Sequence, residues 1–420
     1  MVPRGTRAGG NPSALALHGG TPVRSKPFPD WPQTGQVDVD NILKSLRNHR
    51  WCPENGEFIP KFENAWKTRL GSRGCVMTPC GTHALHMSLE LLGVGPGDEV
   101  IVSPFTFVAT IDVILLCYAL PVFADSDLRT FQIDPDDIEH RITEHTRAIL
   151  PVHIYGAAAN MDKVLAVANE HNLPVIEDAC QAHMAEWRGK KLGTLGKIGC
   201  FSFQERKNLA GGEAGAMVSD DDNLIQRAYM FRDVGRDVSG DSRYAIRGTT
   251  YCVSDFAASV LMAQLARFDE FCLKREKHGA LLREELRKIP GIAPQEHSPE
   301  CTRANYHVFG LRYDQAHFQN VPREKVVAAL RAEGIPISIV YPRLNKEPFL
   351  EHNLSSRGFR AVFSQERLEK YRRQNHLPKN DKLCSTGLWI THKALIGEKS
   401  DIDDILEAFN KVQRNASMLV

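Results

Sequence analysis

Two apolar periodicities trade places along this chain. Residues 58–70 carry their apolar positions at helical spacing, 75–77 form a short apolar run, and helical spacing returns through Leu92. Residues 99–103 predict a strand, 105–110 the opening of a helix, 121–124 a strand, and 134–142 a helix capped by an aspartate. A strand at 148–153 and a helix at 161–172 follow. Strand and helix thus alternate four times, which predicts an α/β fold with a mostly parallel sheet covered by helices on both faces.

The flanks are less regular. A Pro- and Trp-rich arm precedes residue 55, with helical spacing at 39–48, and 231–251 read as a solvated polar loop holding Arg232, Arg236, Arg243 and Arg247. A long helix is predicted at 255–287. After it come a strand at 306–313, a helix at 323–333, a strand at 337–341 and a closing helix at 401–413. Basic, turn-rich 345–380 are expected to be a loop near the site entrance that helps select substrate. A chain of 420 residues exceeds the usual single core. The expected division is a flexible tail (1–14), an arm and large domain (15–270), and a small α+β domain (271–420).

The densest chemistry lies between Val175 and Val218. The run at 173–176 ends in Glu177-Asp178, a buried strand with a carboxylate at its C-terminal tip, where open α/β sheets place ligands. A second β-type run, 198–204, stops just before Lys207, and Gly211, Gly212 and Gly215 follow, where backbone can approach closely. An amine beyond one strand and a fixed anion at the tip of another are what pyridoxal phosphate needs, the first for its aldehyde and the second for its ring nitrogen. Such a lysine must have its pKa lowered to act as an amine near neutrality. In Thr78-Pro79-Cys80-Gly81-Thr82-His83 a strand, a tight turn and a helix start expose free amides beside the Thr82 hydroxyl, an anion site.

Charge and composition narrow the field. Acidic and basic residues number 51 and 52, so a nucleic acid or anionic membrane partner is not expected. The longest apolar run, 113–124, is interrupted by Pro121 and too short for a bilayer, which points to a soluble chain. Ten cysteines without a Cys-x-x-Cys pair fit reduced thiols in a cytoplasmic protein. His83 and His86 share a helical face with no third ligand, so no metal is expected. The glycine pattern of a nicotinamide-binding strand-turn-helix is missing.

The run Ile176-Glu177-Asp178-Ala179-Cys180-Gln181-Ala182-His183, with Phe201-Ser202-Phe203-Gln204, Lys207-Asn208 and Gly212-Glu213, resembles the signature of the DegT/DnrJ/EryC1/StrS-type sugar aminotransferases, fold type I enzymes that use pyridoxal phosphate. The likeness extends from about Leu17 to the last helix. Leu17-His18-Gly19-Gly20-Thr21-Pro22-Val23-Arg24 is most similar to the subgroup that aminates scyllo-inosose-type cyclitols and related carbocycles in antibiotic pathways, with 3-amino-5-hydroxybenzoate synthase-like members beside it.

The resemblance implies that Lys207 carries the cofactor and moves protons, and that Asp178 faces the ring nitrogen. It further implies that Gly81, Thr82, His83 and Ser202 hold the phosphate, that Phe107 covers the ring, and that Gln181 lies beside the ring oxygen. The implied activity is transfer of an amino group from L-glutamine or L-glutamate to a ketone on a cyclitol or sugar, by a homodimer with sites at the subunit interface and the 231–251 loop crossing between subunits. The chain departs from the family at Cys80 (usually Asn), Met184 (Gly), Ala214, and Thr250-Tyr251-Cys252 (Asn-Tyr-Arg). These departures leave open a dehydratase or lyase, an amino-hydroxybenzoate synthase-like reaction, or a non-catalytic regulatory homologue. Lys207 speaks against the dehydratase, whose known relatives have histidine there.

Overall fold

The structure, a computed structural model, describes residues 13–238 and 243–420. Residues 1–12 of the expected tail and 239–242 of the polar loop lie outside the described residues. The N-terminal half contributes strands β1 (Gly74–Thr78), β2 (Glu99–Val102), β3 (Leu120–Phe123), β4 (Thr146–Leu150) and β5 (Ile176–Asp178). A small ribbon, β6 (Glu186–Trp187) and β7 (Lys190–Lys191), precedes β8 (Ile198–Ser202) and β9 (Gly215–Ser219). Hydrogen bonds order β1-β9-β8-β5 and β3-β2-β4. The bridges Ile149–Val175 and Val152–Asp178 join these two groups through β4 and β5.

The expected mostly parallel sheet is present. Strand β9 runs antiparallel to both its neighbours, and the other pairings in this sheet are parallel. The cause is local: the Lys207 segment between β8 and β9 holds no crossover helix, and a parallel return needs one.

Helices α1 (Gln36–Asn48), α2 (Phe58–Leu70), α3 (Gly81–Leu91), α4 (Ala109–Leu116), α5 (Pro135–Ile138), α6 (Met161–Glu170), α7 (Asp222–Arg232) and α8 (Asp255–Leu286) surround the sheet. Successive strand residues supply opposite faces. Val76, Val100, Val102, Cys200 and Met217 enter one core with α3, α4 and α7. Cys75, Met77, Ile101, Phe201 and Val218 enter the other with α2, α6 and α8. Each such side chain, fully buried, is worth roughly 1.5–3 kcal/mol. A one-residue slip of a strand would exchange its two faces, so this double burial fixes which way Glu177 and Asp178 point.

The second sheet, β10 (Ile292–Pro294), β11 (Val308–Tyr313), β12 (Ile337–Ile339) and β13 (Gly387–Thr391), is antiparallel in the order β10-β11-β13-β12. With α9 (Arg323–Ala332) it closes a third core around Leu311, Leu330, Ile337 and Ile390. The division expected at 270/271 falls inside α8, whose Cys272 still belongs to the large-sheet core while Leu282 and Leu286 belong to the third.

Two expectations are corrected. Residues 345–380 are not a loop: they hold α10 (Pro348–Leu354), α11 (Arg357–Val362), α12 (Gln365–Gln374) and the start of α13 (Pro378–Thr386), followed at the chain's end by α14 (Lys399–Arg414). Leu350, Leu354, Phe359, Phe363, Leu368 and Leu377 drive this by joining the core that contains α3 and α4. Phe107 does not open a helix. Helix α4 begins at Ala109, and Phe107 stands in the turn before it. Among the described residues no helix is long and apolar enough to cross a membrane. The cysteines are free, six of them buried, while Cys52 is exposed and Cys80, Cys252 and Cys301 are partly so.

Candidate active site

Asp178 is the last residue of β5 and is buried. The Thr110 hydroxyl donates to its Oδ2 at 2.8 Å, and the Cys180 amide donates to its Oδ1 at 3.1 Å. Thr110 belongs to α4, and its own amide donates to the Phe107 carbonyl at 3.1 Å, so Phe107 stands one turn from the carboxylate. Phe107 is 54% exposed, which removes it from the core and leaves it available to a ligand.

Helix α3 enters this site by its N-terminus. Its cap, Cys80, is extended and makes no side-chain cap bond, so the first-turn amides of Gly81, Thr82 and His83 face outward from the ladder with the helix dipole behind them. The seat is tight. A Cβ on Gly81 would lie 2.7 Å from the Ser202 Cβ and 2.8 Å from the Cys180 sulfur, and one on Gly215 would lie 2.4 Å from the Cys80 carbonyl carbon. Glycines at 81 and 215 thus let the helix end, the tip of β8 and the turn after β5 converge on one point.

Lys207 follows β8 in a loop whose backbone is fixed from several sides. The carbonyls of three successive residues each accept a bond from a distant side chain: Arg206 from His392 at 3.1 Å, Lys207 from Trp31 at 3.0 Å, and Asn208 from Arg275 at 3.2 Å. Trp31 lies in the arm, Arg275 in α8, and His392 just past β13. Nothing local in the sequence marks these three as supports of the lysine. Asn208 is fully buried and adds bonds to the Asn305 carbonyl and the His307 ring. Desolvation pulls the Lys207 amine below the ordinary lysine range, although Cys180, Asp178 and Glu213 act in the opposite sense. A lysine so placed loses its proton more readily than one in water.

The other expected residues fall around this centre with different attachments. The Ser202 hydroxyl is buried beside Gly81 and lies 3.4 Å from the Gln204 amide. Gln181 already uses both ends of its side chain, accepting from the Tyr155 amide at 3.0 Å and donating to the Tyr341 hydroxyl at 3.1 Å. The His83 ring lies against Tyr251, 4.1 Å between centroids. Its Nδ1 is 3.5 Å from the Cys80 sulfur. Burial pushes the Cys80 thiol up, but the His83 contacts outweigh it and hold the thiol below its usual range. Met184, which stands where the resemblance has glycine, keeps a glycine-like backbone at φ 61°.

An amine of lowered basicity, a buried carboxylate, an uncapped helix end flanked by hydroxyls and an exposed aromatic side chain are the donor set that pyridoxal phosphate requires, and the residues fit that group.

Known proteins resemble this chain in sequence and in fold. The sequence profile of the DegT/DnrJ/EryC1/StrS aminotransferase family matches residues 33–409. The L-glutamine:2-deoxy-scyllo-inosose aminotransferase of Streptomyces kanamyceticus is 36% identical over 425 residues, which cover 97% of this chain and 98% of the relative. The enzyme of the same description from Micromonospora echinospora is 35% identical over 418 residues, covering 96% and 98%. Among solved structures, 3-amino-5-hydroxybenzoic acid synthase superposes with a TM-score of 0.84 at 28% identity, over 93% of this chain and 100% of that one.

Proposed function

Because the chain belongs to the DegT/DnrJ/EryC1/StrS aminotransferase family, we propose that it is a pyridoxal phosphate-dependent aminotransferase that moves the amino group of L-glutamine to the ketone of a cyclitol of the 2-deoxy-scyllo-inosose kind. The observation that carries this reading is the convergence of the α3 first turn, the Ser202 tip of β8 and the turn that follows Asp178 on one point, with Lys207 in the loop after β8. Donor and acceptor are those named for the relatives above.

When bound, the cofactor supplies an exchangeable aldehyde and an electron-accepting ring. This chain's residues would do the rest. The Lys207 Nζ would hold the cofactor and, as a free amine, would take the proton from the donor's α-carbon and deliver one to the acceptor carbon. Its lowered basicity serves that work. Asp178, fixed by Thr110 and the Cys180 amide, offers a buried anion to a protonated ring nitrogen. The amides of Gly81, Thr82 and His83 and the hydroxyls of Thr82 and Ser202 would take the phosphate, Phe107 would cover one face of the ring, and Gln181 would flank its oxygen. Donor and acceptor use one site in turn, so ping-pong kinetics are expected.

The same reading makes the protein a homodimer. The exposed Phe107, Leu116, Tyr118 and Tyr244 support it as apolar surface that a second subunit could cover. Sedimentation would show a species of twice the chain mass.

The test is direct. Protein supplied with the cofactor, L-glutamine and 2-deoxy-scyllo-inosose should yield the amino-cyclitol by mass spectrometry. Lys207→Ala should lose both this product and the absorbance of lysine-bound cofactor near the visible edge while staying folded; turnover surviving in that variant would reject the assignment.

A further inference from the structure

On the flank of α3, three ligand types converge away from Lys207. His86 and Glu90 are four residues apart and so share one helical face. Helix α4 packs beside them and brings Cys117, the residue that ends it. A ring nitrogen of His86, a Glu90 carboxylate oxygen and the Cys117 sulfur all lie within 4.8 Å of one another. His86 Nε2 stands 4.0 Å from Glu90 Oε1, too far for a hydrogen bond. The group is gathered without being satisfied internally.

Its surroundings are those of a ligand set. His86 Nδ1 is hydrogen-bonded to the Tyr251 hydroxyl at 2.9 Å, which fixes the ring with Nε2 on the Glu90 side. An outer partner on the second ring nitrogen is what metal-bound histidines almost always have. Arg247 pairs with Glu90 Oε2, leaving Oε1 for the cluster. Cys117 is buried at the back, while the side chains of His86 and Glu90 keep 15% and 19% exposure and provide a way in.

We propose that His86, Glu90 and Cys117 form a site for a divalent transition ion of the zinc type, with water completing a tetrahedron. The mixed nitrogen, oxygen and sulfur set suits Zn²⁺ over Mg²⁺ or Ca²⁺, which select oxygen. Ligand bonds of about 2.0–2.3 Å imply tetrahedral edges of roughly 3.3–3.8 Å, so closure needs movement of under about 1 Å at each side chain. The ligands must be a neutral imidazole, a carboxylate and a thiolate, so binding expels the Cys117 thiol proton. Two anionic ligands would offset the ion's charge, and the Arg247 guanidinium paired with Glu90 would leave the loaded cluster one charge positive. Tyr251 touches both His86 and the His83 ring of the α3 first turn, so the site abuts the phosphate end of the catalytic pocket while its occupancy does not depend on the proposed transamination.

Full-length, cofactor-loaded protein freed of metal by chelation should take up one equivalent of Zn²⁺ per chain in calorimetry and release about one proton with it. Titration with Cd²⁺ should raise a thiolate-to-metal band in the ultraviolet difference spectrum. Cys117→Ser should abolish that band, His86→Gln should abolish stoichiometric uptake, and Tyr251→Phe should weaken binding about tenfold with the band intact. Circular dichroism identifies any variant that fails to fold, and the remaining ones carry the test. Wild-type protein with no thiolate band, or folded variants that bind as the wild type does, would overturn the proposal.

Discussion

Glu177 and Asp178 are neighbours on β5, both buried, and they are used in opposite ways. Glu177 faces the side of the sheet away from Lys207 and is saturated. Its carboxylate accepts from the amides of Gly193, Leu195 and Gly196 at 2.8, 2.7 and 2.6 Å, and its Oε2 lies 2.9 Å from His153 Nε2. The turn between β7 and β8 is organised around it. Asp178 accepts from Thr110 and the Cys180 amide and keeps acceptor capacity on the crevice side. Burial therefore does not distinguish a structural carboxylate from a functional one. What distinguishes them is whether the protein has already spent the lone pairs.

The comparison would be broken most severely at Asp178. Asp178→Asn keeps size and can still accept from Thr110, so the fold should survive with a nearly unchanged thermal midpoint. Loss of the fixed anion should slow each half-reaction by on the order of 10²–10⁴-fold in single-turnover measurements, an effect of the size seen when a positioned acid-base partner is lost. A variant within tenfold of wild type would show that Asp178 is a second Glu177, a packing carboxylate at a strand end.

Glu177→Gln should give the reverse outcome. One oxygen becomes an NH₂ that must face donors in a sealed site, so about 3 kcal/mol of stability should be lost, read as a lower denaturant midpoint. The protein that stays folded should turn over at close to the normal rate. Activity lost in step with Asp178→Asn at full stability would merge the two roles.

Much of this arrangement was legible because its signals are local. Helix α2 matches its predicted span, 58–70, since an apolar face leads into Gly71, which ends it at φ 76°. Lys207 and Asp178 are marked by strand tips and glycines within one stretch of chain. The 345–380 segment was misread because its helix signals double as turn signals. Pro348 and Pro378 are N1 prolines, and Ser356 and Ser364 are N-caps whose hydroxyls accept from Phe359 and Arg367. With helices so short, the apolar stripe has only about two or three turns in which to declare itself. Trp31, Arg275 and His392 left no trace at all, because their purpose lies in carbonyls far away in sequence. The nearness of Cys117 to His86 is hidden in the sequence for the same reason: it comes from the next helix.

The mildest test sharpens the difference between the two carboxylates from the outside. Thr110→Val removes the hydroxyl that holds Asp178 Oδ2 and preserves the side chain's shape in a helix whose neighbouring residues pack in the core. If that bond steadies the anion, the rate of each half-reaction should fall about tenfold, near the value of one hydrogen bond to a charged group. Thr110→Ser, which keeps the donor, should restore most of it. The thermal midpoint should move little in Thr110→Ser and fall modestly in Thr110→Val, which also deprives the buried Thr106 hydroxyl of its 2.9 Å partner. A Val variant as fast as wild type would mean that the Cys180 amide suffices and that α4 serves this site only by placing Phe107; a Ser variant as slow as Val would assign the loss to the missing methyl group rather than to the bond.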